Sequence, residues 1–258
     1  MLRLVINLDR SPERLRKISM ALKNFGLNYS RIQAVDGKCL TEDEVCQWTI
    51  PKLKRRLFFR ALSRAEIGCC LSHRKCWQML VDSSEDWALI FEDDCVFSER
   101  ALPFITNEKW IPEGIKLCQL SHLGNSGDKV LIEKRKYDLN DGRQMIRVIK
   151  PHHIGTGAYY IHREVAQLAL DATKTFEAPV DEMIFSLRYP FGRRYAGWIV
   201  NPYPVKLDTL AESTIGHGTT RGFGKPCTLR QVMAKIFSRI YISIYRKVFG
   251  VRSCITFE

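Results

Sequence analysis

The feature that most constrains this fold is an apolar run that ends in three consecutive acids. Residues Trp87 to Phe91 are largely apolar, and Glu92, Asp93 and Asp94 follow them directly. A short continuous apolar run is typical of a strand buried on both faces of an α/β sheet. Three adjacent carboxylates would repel one another in a dry core, so we expect them at the sheet edge, where open α/β sheets bind their ligands.

The acid triplet has two interpretations. Clustered carboxylates are suitable ligands for hard divalent ions such as Mg²⁺ or Mn²⁺, which proteins often share with substrate phosphates. The alternative is a solvated acidic turn, because acid triplets also occur by chance. A bound cation would stabilise the three negative charges, whereas a turn would leave them to solvent.

Composition limits the class of protein. The chain has 258 residues, enough for one large domain or for a domain with an appendage. Its nine cysteines are odd in number and form no C-x-x-C pair, which favours reduced thiols in a cytosolic protein over a disulfide framework. The amino terminus lacks the long apolar core of a signal peptide, and no apolar run reaches about 18 residues, so we expect no membrane-spanning segment.

The formal net charge of +12 indicates an anionic partner. Nucleic acid, an anionic membrane surface and phosphorylated substrates are the three candidates. The sequence has no recognition-helix, zinc-finger or aromatic single-strand signature, so we do not expect nucleic acid to be the partner.

The amino-terminal region has the element order of a nucleotide-binding unit. An apolar strand over residues 3–8 precedes Ser-Pro-Glu at residues 11–13, which predicts a capped helix start. Arg10 and Arg14 would stand beside the connecting loop, either to meet a diphosphate or as solvated surface arginines. Asp36 follows a second predicted strand, where an acid can hold a ribose hydroxyl, although Asp-Gly is also a plain turn signal.

Two further stretches contain candidate site residues. A capping box at Ser63 and Glu66 predicts a helix to about Val81, with Ser72 and His73 near its middle. His73 is either a satisfied structural histidine or a residue that faces a site. The segment Gly155-Thr156-Gly157 precedes a β-rich run, and glycines there would let a ligand approach the main chain closely.

Asp181 follows Pro179 at a predicted helix start. An acid in that position is either an ordinary helix cap or, if it faces a cavity, a general base. Periodicity does not separate these alternatives.

The carboxyl-terminal segment predicts a basic amphipathic helix over residues 228–249. Six apolar residues cluster on one side, with three basic residues off that stripe: Leu229, Val232, Met233, Ile236, Phe237 and Ile240, against Arg230, Lys235 and Arg239. Such a helix suits an anionic membrane surface, or it packs on the domain. We therefore divide the chain into a main domain over residues 1–226 and a basic tail over residues 227–258, and we expect any contact with the membrane to be made by the tail.

Several motifs, taken in order, resemble glycosyltransferase family 25, the bacterial lipooligosaccharide galactosyl- and glucosyltransferases. The resemblance covers about four-fifths of the chain and rests on these segments: Val5-Ile-Asn-Leu, Glu13-Arg14, Glu66-Ile-Gly-Cys-Cys-Leu-Ser72-His73, Phe91-Glu92-Asp93-Asp94, Gly155-Thr-Gly-Ala-Tyr-Tyr-Ile-His-Arg-Glu-Val-Ala166 and Pro179-Val-Asp181. Each motif alone is weakly specific for the family, but the order and spacing of the motifs make the match specific.

The resemblance implies a GT-A-like α/β fold, a Rossmann-type mixed sheet flanked by helices. It also implies transfer of a hexose, most simply galactose from UDP-galactose, with inversion at the anomeric carbon. The acid triplet looks like the family's form of the metal-binding DxD motif. Asp94 is then the first candidate ligand for Mn²⁺ or Mg²⁺, with Asp93 second. His217 would complete the metal shell, as a late histidine does in some GT-A enzymes.

The chemistry of inverting transfer assigns the remaining roles. The departing UDP gathers negative charge, which a divalent ion stabilises, and a base takes the proton of the acceptor hydroxyl. Asp181 is our candidate base, and Glu182 is its nearest rival. The expected donor-binding residues are Asn7, Arg10, Arg14, Asp36, Ser72, His73, Glu92, Asp93, Gly155, Thr156 and Gly157. A glutamine that the family pattern leads us to expect is not evident around residues 206–208, which leaves the sugar open.

The sequence therefore predicts a cytoplasmic, metal-dependent glycosyltransferase that acts on a lipooligosaccharide core at the inner membrane surface. Its expected partners are a UDP-sugar donor, the core acceptor and anionic lipid. The alternatives are another metal-dependent enzyme acting on phosphate esters, and a non-enzymatic basic protein that binds nucleic acid or membrane.

Overall fold

A computed structural model describes residues 1–58, 60–121, 129–139, 141–149, 155–208, 226 and 228–254. In this part of the chain, helices flank a nine-stranded mixed sheet, which confirms the predicted α/β fold. The strands are β1 (Leu2–Asn7), β2 (Ser30–Gln33), β3 (Trp87–Glu92), β4 (Cys95–Phe97), β5 (Leu117–Gln119), β6 (Lys129–Asp138), β7 (Gln144–Val148), β8 (Ala158–His162), β9 (Trp198–Asn201), β10 (Val205–Leu207) and β11 (Gly250–Cys254). The helices are α1 (Pro12–Asn24), α2 (Glu42–Trp48), α3 (Arg64–Asp82), α4 (Leu102–Ile105), α5 (Arg163–Ala172), α6 (Val180–Phe185), α7 (Pro190–Tyr195) and α8 (Leu229–Phe249).

The order of the sheet places the carboxyl ends of three strands at one edge. The order is β11-β6-β7-β9-β5-β8-β3-β1-β2, and β1 pairs in parallel with both β2 and β3. Strand β8 runs antiparallel to β3, with Phe91 opposite Ala158. The amide of Glu92 then donates to the carbonyl of Gly157 at 2.7 Å. The end of β3 and the segment before β8 therefore meet where β1 also ends.

The apolar run of β3 is buried on both faces, as its composition predicts. Ala88 and Ile90 belong to the core on the side of α3, whereas Leu89 and Phe91 belong to the core on the side of α1. Because successive side chains of a strand alternate between faces, a strand between two helical layers must be apolar throughout. The run stops being apolar at Glu92, which is where the strand leaves these two cores.

Helix α3 lies tightly against the segment that follows β2. It begins with the predicted capping box, in which the Ser63 hydroxyl accepts from the amide of Glu66. A Cβ atom at Gly68 would lie 2.5 Å from the carbonyl oxygen of Val35. The absence of a side chain at Gly68 therefore lets α3 pack close to the chain, and this brings the middle of α3 over the sheet edge.

The carboxyl-terminal segment contacts the domain and also exposes an apolar face. Strand β11 pairs antiparallel with β6, and Gln231, Ser238 and Ile242 form the buried side of α8. The six residues of the predicted apolar stripe are each at least 37% exposed. Periodicity predicted the stripe, but the helix packs through another, more polar side. No helix among the described residues is long and apolar enough to cross a membrane.

Candidate active site

The candidate site forms where the carboxyl ends of β1 and β3 meet the middle of α3 and the start of α6. Asn7 ends β1 and Glu92 ends β3. His73 lies on α3, and Asp181 lies in the first turn of α6. Four segments that are distant in sequence thus supply one group of polar residues at the edge of the sheet.

Asp93 is held by the amino-terminal unit. Asn7 donates from Nδ2 to one carboxylate oxygen of Asp93 at 2.7 Å, and Arg14 donates from Nη1 to the other at 3.0 Å. Asn7 also donates to the carbonyl of Ser11 at 2.9 Å, which connects the loop to the same group. Burial nevertheless raises the pKa of Asp93 above its ordinary value, against the lowering by Asn7 and Arg14. Arg14 is therefore a charge partner of the acid triplet and not a solvated surface arginine.

Asp94 differs from its neighbour. Its Oδ1 atom is buried, and no described residue hydrogen-bonds to it. Burial raises the pKa of Asp94 to about 7, and the negative charges of Glu92 and Asp93 contribute to the shift. A buried carboxylate oxygen without a partner is costly unless a cation or a proton satisfies it. The chemistry of this position therefore fits a divalent ion with oxygen ligands.

Glu92 is engaged by two side chains from opposite sides. The Thr156 hydroxyl donates to Oε1 of Glu92, and Nε2 of His73 lies 3.4 Å from the same oxygen. Burial alone would raise the pKa of Glu92, but His73, Thr156 and Arg14 together hold it below its ordinary value. Glu92 is thus an ionised acid whose orientation is fixed by its neighbours.

His73 belongs to a buried hydrogen-bonded chain that the sequence did not reveal. Its Nδ1 atom lies 2.9 Å from Oη of Tyr159, which also accepts from Nε1 of Trp77 at 2.9 Å. His73 and Tyr159 are fully buried, so this chain fixes the imidazole ring against Glu92. The sequence signal was weak, because Trp77 and Tyr159 match the apolar patterns of a helix and a strand.

Cys69 lies one helical turn before His73 and was also missed. Its sulfur, a ring nitrogen of His73 and a carboxylate oxygen of Glu92 lie within 4.8 Å of one another. Burial, followed by the charge of Glu92, raises the pKa of the Cys69 thiol well above its ordinary value. These three groups are close enough together to bind one metal ion, and a bound cation would itself deprotonate the thiol.

Three predicted donor-binding residues make contacts within the protein. The Ser72 hydroxyl donates to the carbonyl of Gly68 at 2.7 Å and accepts from the amide of Val35 at 2.9 Å. Arg10 and Asp36 form an ion pair at 3.1 Å. Asp36 also accepts from the amide of Lys38 at 3.0 Å, as its turn signal predicted. Ser72 therefore joins α3 to the β2 segment, while Arg10 and Asp36 lie together at a half-exposed rim.

The segment before β8 contributes to packing as well as to the site. A Cβ at Gly157 would lie 2.5 Å from Cδ2 of Leu207 and 2.8 Å from Oγ of Ser121. The carbonyl of Gly155 accepts from Nε2 of Gln119 at 2.7 Å. The lack of a side chain at Gly157 thus serves close packing against β10, and Thr156 is the member that reaches the acid group.

Asp181 and Glu182 form a second pair of adjacent acids. The α6 cap is Pro179, and Asp181 accepts from the amide of Glu182 at 2.8 Å, so Asp181 is not the helix cap. Burial raises the pKa of Asp181 to about 6, with contributions from the charges of Glu92 and Glu66. Asp181 therefore lies close enough to Glu92 to share its electrostatic environment.

Glu182 has a different environment. Burial and then the charge of Asp181 raise the pKa of Glu182 to about 8, against the lowering by Arg188 and Ser186. Its Oε2 atom is buried without a hydrogen-bond partner among the described residues. At neutral pH Asp181 is largely ionised and Glu182 is largely protonated. His217, the third predicted metal ligand, lies outside the described residues.

Open α/β sheets bind their ligands outside the carboxyl ends of the strands, and this acid group lies at that position. The model of the family described as "Glycosyltransferase family 25 (LPS biosynthesis protein)" matches residues 1–184. The chain belongs to this family, which confirms the resemblance drawn from its motifs.

Curated relatives match shorter segments. The lacto-N-neotetraose biosynthesis glycosyltransferase LgtE of Neisseria gonorrhoeae is 25% identical over 169 residues, which is 65% of this chain and 59% of that protein. Procollagen galactosyltransferase 2 of Mus musculus is 32% identical over 99 residues, 37% of this chain and 16% of the relative. A glycosyltransferase 25 family member of Drosophila pseudoobscura pseudoobscura is 38% identical over 96 residues, 36% of this chain and 15% of the relative.

Solved structures show weaker likeness. A glycosyltransferase involved in glycosylation of the major capsid of PBCV-1 aligns with a TM-score of 0.42 and 10% identity, over 81% of this chain and 95% of that one. A Drosophila galactosyltransferase 7 mutant in complex with manganese, UDP-Gal and xylobiose aligns with a TM-score of 0.33 and 12% identity, over 91% and 80% of the two chains. Scores this low support no conclusion about substrate or metal.

Proposed function

We propose that this protein is an inverting, metal-dependent hexosyltransferase that moves galactose from UDP-galactose to a lipooligosaccharide or lipopolysaccharide core sugar. The observation that carries the proposal is the contrast within one group of acids. Asp94 has a buried oxygen without a partner among the described residues, while Asp181 is half-buried, largely ionised and within reach of the charge of Glu92. A cation ligand and a base in one site are what inverting transfer requires.

The donor diphosphate lies, in this proposal, at the carboxyl ends of β1 and β3. Asp94 is the first residue to hold Mn²⁺ or Mg²⁺, and Asp93, held by Asn7 and Arg14, is its neighbour in the shell. His217 remains a candidate third ligand. When bound, the ion neutralises charge that develops on the departing UDP. Arg14 contributes a fixed positive charge to the same region, and Arg10 with Asp36 faces the ribose from the rim.

Asp181 is the proposed general base. The acceptor hydroxyl must lose its proton as the new glycosidic bond forms, and the base must lie on the face of the sugar opposite to UDP. With a pKa of about 6, Asp181 is ready to accept a proton at neutral pH. Glu182, with a pKa of about 8, already carries one. This difference supports Asp181 over its rival.

The site neighbours have supporting roles. His73 and Thr156 orient Glu92. Burial first, and then the negative charge of Glu92, raises the pKa of Asp181 above its ordinary value. Within the segment before β8, Thr156 borders the donor in this proposal, while Gly155 and Gly157 hold the segment against Gln119 and β10. We further propose a cytoplasmic protein whose basic tail, residues 227–258, contacts the inner membrane surface where a lipid-linked acceptor would be found.

The test is a donor panel with UDP release as the readout. The protein is incubated with UDP-galactose, UDP-glucose and UDP-N-acetylglucosamine, with Mn²⁺ or Mg²⁺, and with or without a lipooligosaccharide core acceptor. We expect acceptor-dependent UDP release from UDP-galactose that a chelator stops. Release from UDP-glucose alone would correct the sugar, and no release from any donor, with turnover of a simple phosphate ester, would replace the proposal by the other metal-dependent enzyme class.

A further inference from the structure

Cys69, His73 and Glu92 form a compact group of three different metal-ligand types. The Cys69 sulfur, a ring nitrogen of His73 and a carboxylate oxygen of Glu92 lie within 4.8 Å of one another. Cys69 and His73 are four residues apart on α3, a spacing that puts two side chains on the same face of a helix. Glu92 reaches them from the end of β3. In the proposed function Cys69 has no role.

The distances within this group are close to those of a four-coordinate zinc site. With Zn–N and Zn–O bonds of about 2.0–2.1 Å, the nitrogen and oxygen ligands of a tetrahedral ion are about 3.3 Å apart. Nε2 of His73 lies 3.4 Å from Oε1 of Glu92, which is long for a hydrogen bond and close to that separation. A sulfur ligand is about 3.6 Å from its neighbours in this geometry, so the Cys69 sulfur, at most 4.8 Å from both, needs to move by about 1 Å.

The neighbours of the three side chains already orient them. Nδ1 of His73 lies 2.9 Å from Oη of Tyr159, so Nε2 is the ring nitrogen that is left for a cation. A hydrogen bond at the other ring nitrogen is the usual way in which a metal-binding histidine is fixed. The Thr156 hydroxyl donates to Oε1 of Glu92 and orients the carboxylate, whose oxygens have further lone pairs. The group is therefore organised before an ion arrives, which favours binding.

The surroundings attract a cation and give it access. After burial and the charge of Glu92, the charges of Asp181 and Glu66 also raise the pKa of the Cys69 thiol. These acids make the environment of the sulfur negative, which opposes a free thiolate and favours a thiolate bound to a cation. The side chain of Glu92 is 26% exposed and Cys69 is half-buried, so the group is open to solvent through these two residues. Water can then fill the fourth position, as in zinc sites with three protein ligands.

The ligand types select a different ion from the one that fits Asp94. Thiolate and imidazole ligands favour Zn²⁺, whereas carboxylate and water oxygens favour Mg²⁺ and Mn²⁺. Asp94 does not belong to the Cys69 group. Glu92 and Asp94 are nevertheless only two residues apart, with at most about 7 Å between their Cα atoms. Two cations bound at these positions would therefore repel each other.

We propose that Cys69, His73 and Glu92 bind one Zn²⁺ ion, and that this ion inhibits sugar transfer. Binding itself depends only on the three ligands, and on binding the Cys69 thiol releases its proton to the solvent. The inhibition rests on the proposed function. It follows because Zn²⁺ at Glu92 repels the Mg²⁺ or Mn²⁺ held by Asp94 and neutralises the charge of Glu92 beside the donor.

Cobalt binding tests the site without any sugar transfer. Co²⁺ bound in place of Zn²⁺ shows a visible ligand-field band when it is four-coordinate and a near-ultraviolet charge-transfer band when a thiolate binds it. The reduced full chain is titrated with Co²⁺, which Zn²⁺ then displaces. We expect Cys69→Ser to lose the charge-transfer band and to weaken Co²⁺ binding about tenfold or more, because loss of a ligand costs at least as much as loss of a group that orients one.

Two other cysteines supply matched controls for the cobalt titration. Cys70 is the adjacent thiol and is 1% exposed, whereas Cys46 is exposed. Cys70→Ser and Cys46→Ser should each keep the charge-transfer band and change the affinity less than about twofold, since neither residue belongs to the group. A loss in either control equal to that in Cys69→Ser would overturn the site.

X-ray absorption at the zinc edge keeps the test valid if a substitution disturbs folding. It is measured on the wild-type protein with one equivalent of Zn²⁺. We expect one sulfur at about 2.3 Å and lighter ligand atoms at about 2.0–2.1 Å. Zinc without a sulfur ligand, or with two or more, would overturn the proposed ligands, because Cys69 is the one cysteine of the group.

UDP release in the same samples separates this site from the proposed function. The readout is the ratio of the rates with and without Zn²⁺ at constant Mn²⁺. We expect Zn²⁺ to lower the rate about fivefold or more in the wild type and in Cys70→Ser, and less than about twofold in Cys69→Ser.

The possible failures of the two proposals are distinct. Zn²⁺ binding through Cys69 in a protein that transfers no sugar from any donor would reject the proposed function and support the zinc site. Sugar transfer without Zn²⁺ binding at Cys69 would overturn the zinc site and leave the proposed function in place. Zn²⁺ binding at Cys69 with an unchanged rate of transfer would overturn the inhibition.

Discussion

The end of β3 places three acids in a row and the start of α6 places two, yet the surroundings give neighbouring carboxylates different states. At β3, Asp93 is bonded by Asn7 and Arg14, whereas the neighbouring Asp94 has a buried oxygen without a partner. At α6, the pKa of Asp181 is raised to about 6 and that of Glu182 to about 8, in both cases first by burial.

The two regions differ in the groups that surround their carboxylates. The β3 acids already have an arginine beside them, and the remaining negative charge at Asp94 fits a cation. Burial is the first cause of the raised pKa in both regions, so the difference lies in the partners: Asp93 accepts from two side chains, whereas Asp181 accepts from the backbone amide of Glu182. Adjacent carboxylates can therefore have separate functions, one as a metal ligand and another as a base, because the environment of each is different.

The largest expected effect on activity comes from a substitution in the acids at the end of β3. Asp94→Asn should lower acceptor-dependent UDP release about 10³-fold, because it removes the proposed ligand of the ion that stabilises the leaving group. Initial rates with Mn²⁺ measure it. Asp86→Asn is the matched control, since Asp86 precedes β3 and its side chain is 77% exposed. A rate for Asp94→Asn within threefold of the wild-type rate would show that Asp94 is not the essential metal ligand.

The next effect tests the base. Asp181→Asn should lower the rate about 10²-fold while UDP affinity stays within twofold, because the amide cannot take the acceptor proton but leaves the diphosphate contacts intact. Transfer rates and calorimetric titration with UDP separate the two quantities. Loss of UDP binding would indicate that Asp181 has a structural role. Full activity would show that another residue is the base.

The pH dependence is a smaller effect with a defined direction. A base with a pKa of about 6 must be ionised to act, so activity should rise about tenfold per pH unit below pH 6 and level off above it. The measurement is kcat/KM between pH 4.5 and 8 at saturating metal. A profile that continues to rise to pH 8 would point to Glu182 or Asp94 as the controlling group.

Glu182→Gln should have the smallest effect on rate, a change of less than threefold, because Glu182 already carries a proton at neutral pH. Stability changes instead. The folded pKa of about 8 exceeds the ordinary value of 4.5, so the free energy of unfolding of the wild type falls as pH rises between these values. At pH 9 the variant should be more stable by about 5 kcal/mol, and at pH 4 the two should be equal. Denaturant unfolding at both pH values measures this.

Much of the local structure was predictable from short patterns. The apolar run before Glu92 identified β3, and the capping box at Ser63 identified the start of α3. The amphipathic pattern identified α8 as a helix, because a period of 3.6 residues depends only on neighbours along the chain. The same pattern did not reveal which side of α8 would pack, since the contact is made by Gln231 and Ser238.

The family motifs predicted which residues lie at the site, but they did not predict the function of each residue. Ser72 and Gly157 were expected to face the donor, and their contacts serve packing. Trp77, Tyr159 and Cys69 were absent from it, although they surround His73. The residue type alone does not tell whether a buried tyrosine fills the core or orients a histidine.

By itself, the sequence determined β1, β2 and β3, the capped start of α3 and the position of three acids at the end of a buried strand, whereas the predicted cap residue of α1, Ser11, makes no side-chain cap bond. These features depend on interactions between residues that are close along the chain. Only the tertiary structure decided which acid has a partner, because Asn7 and Asp93 are 86 residues apart and meet through the pairing of β1 with β3. Burial and long-range charge set the pKa of Asp94 and Asp181, and both depend on the assembled fold.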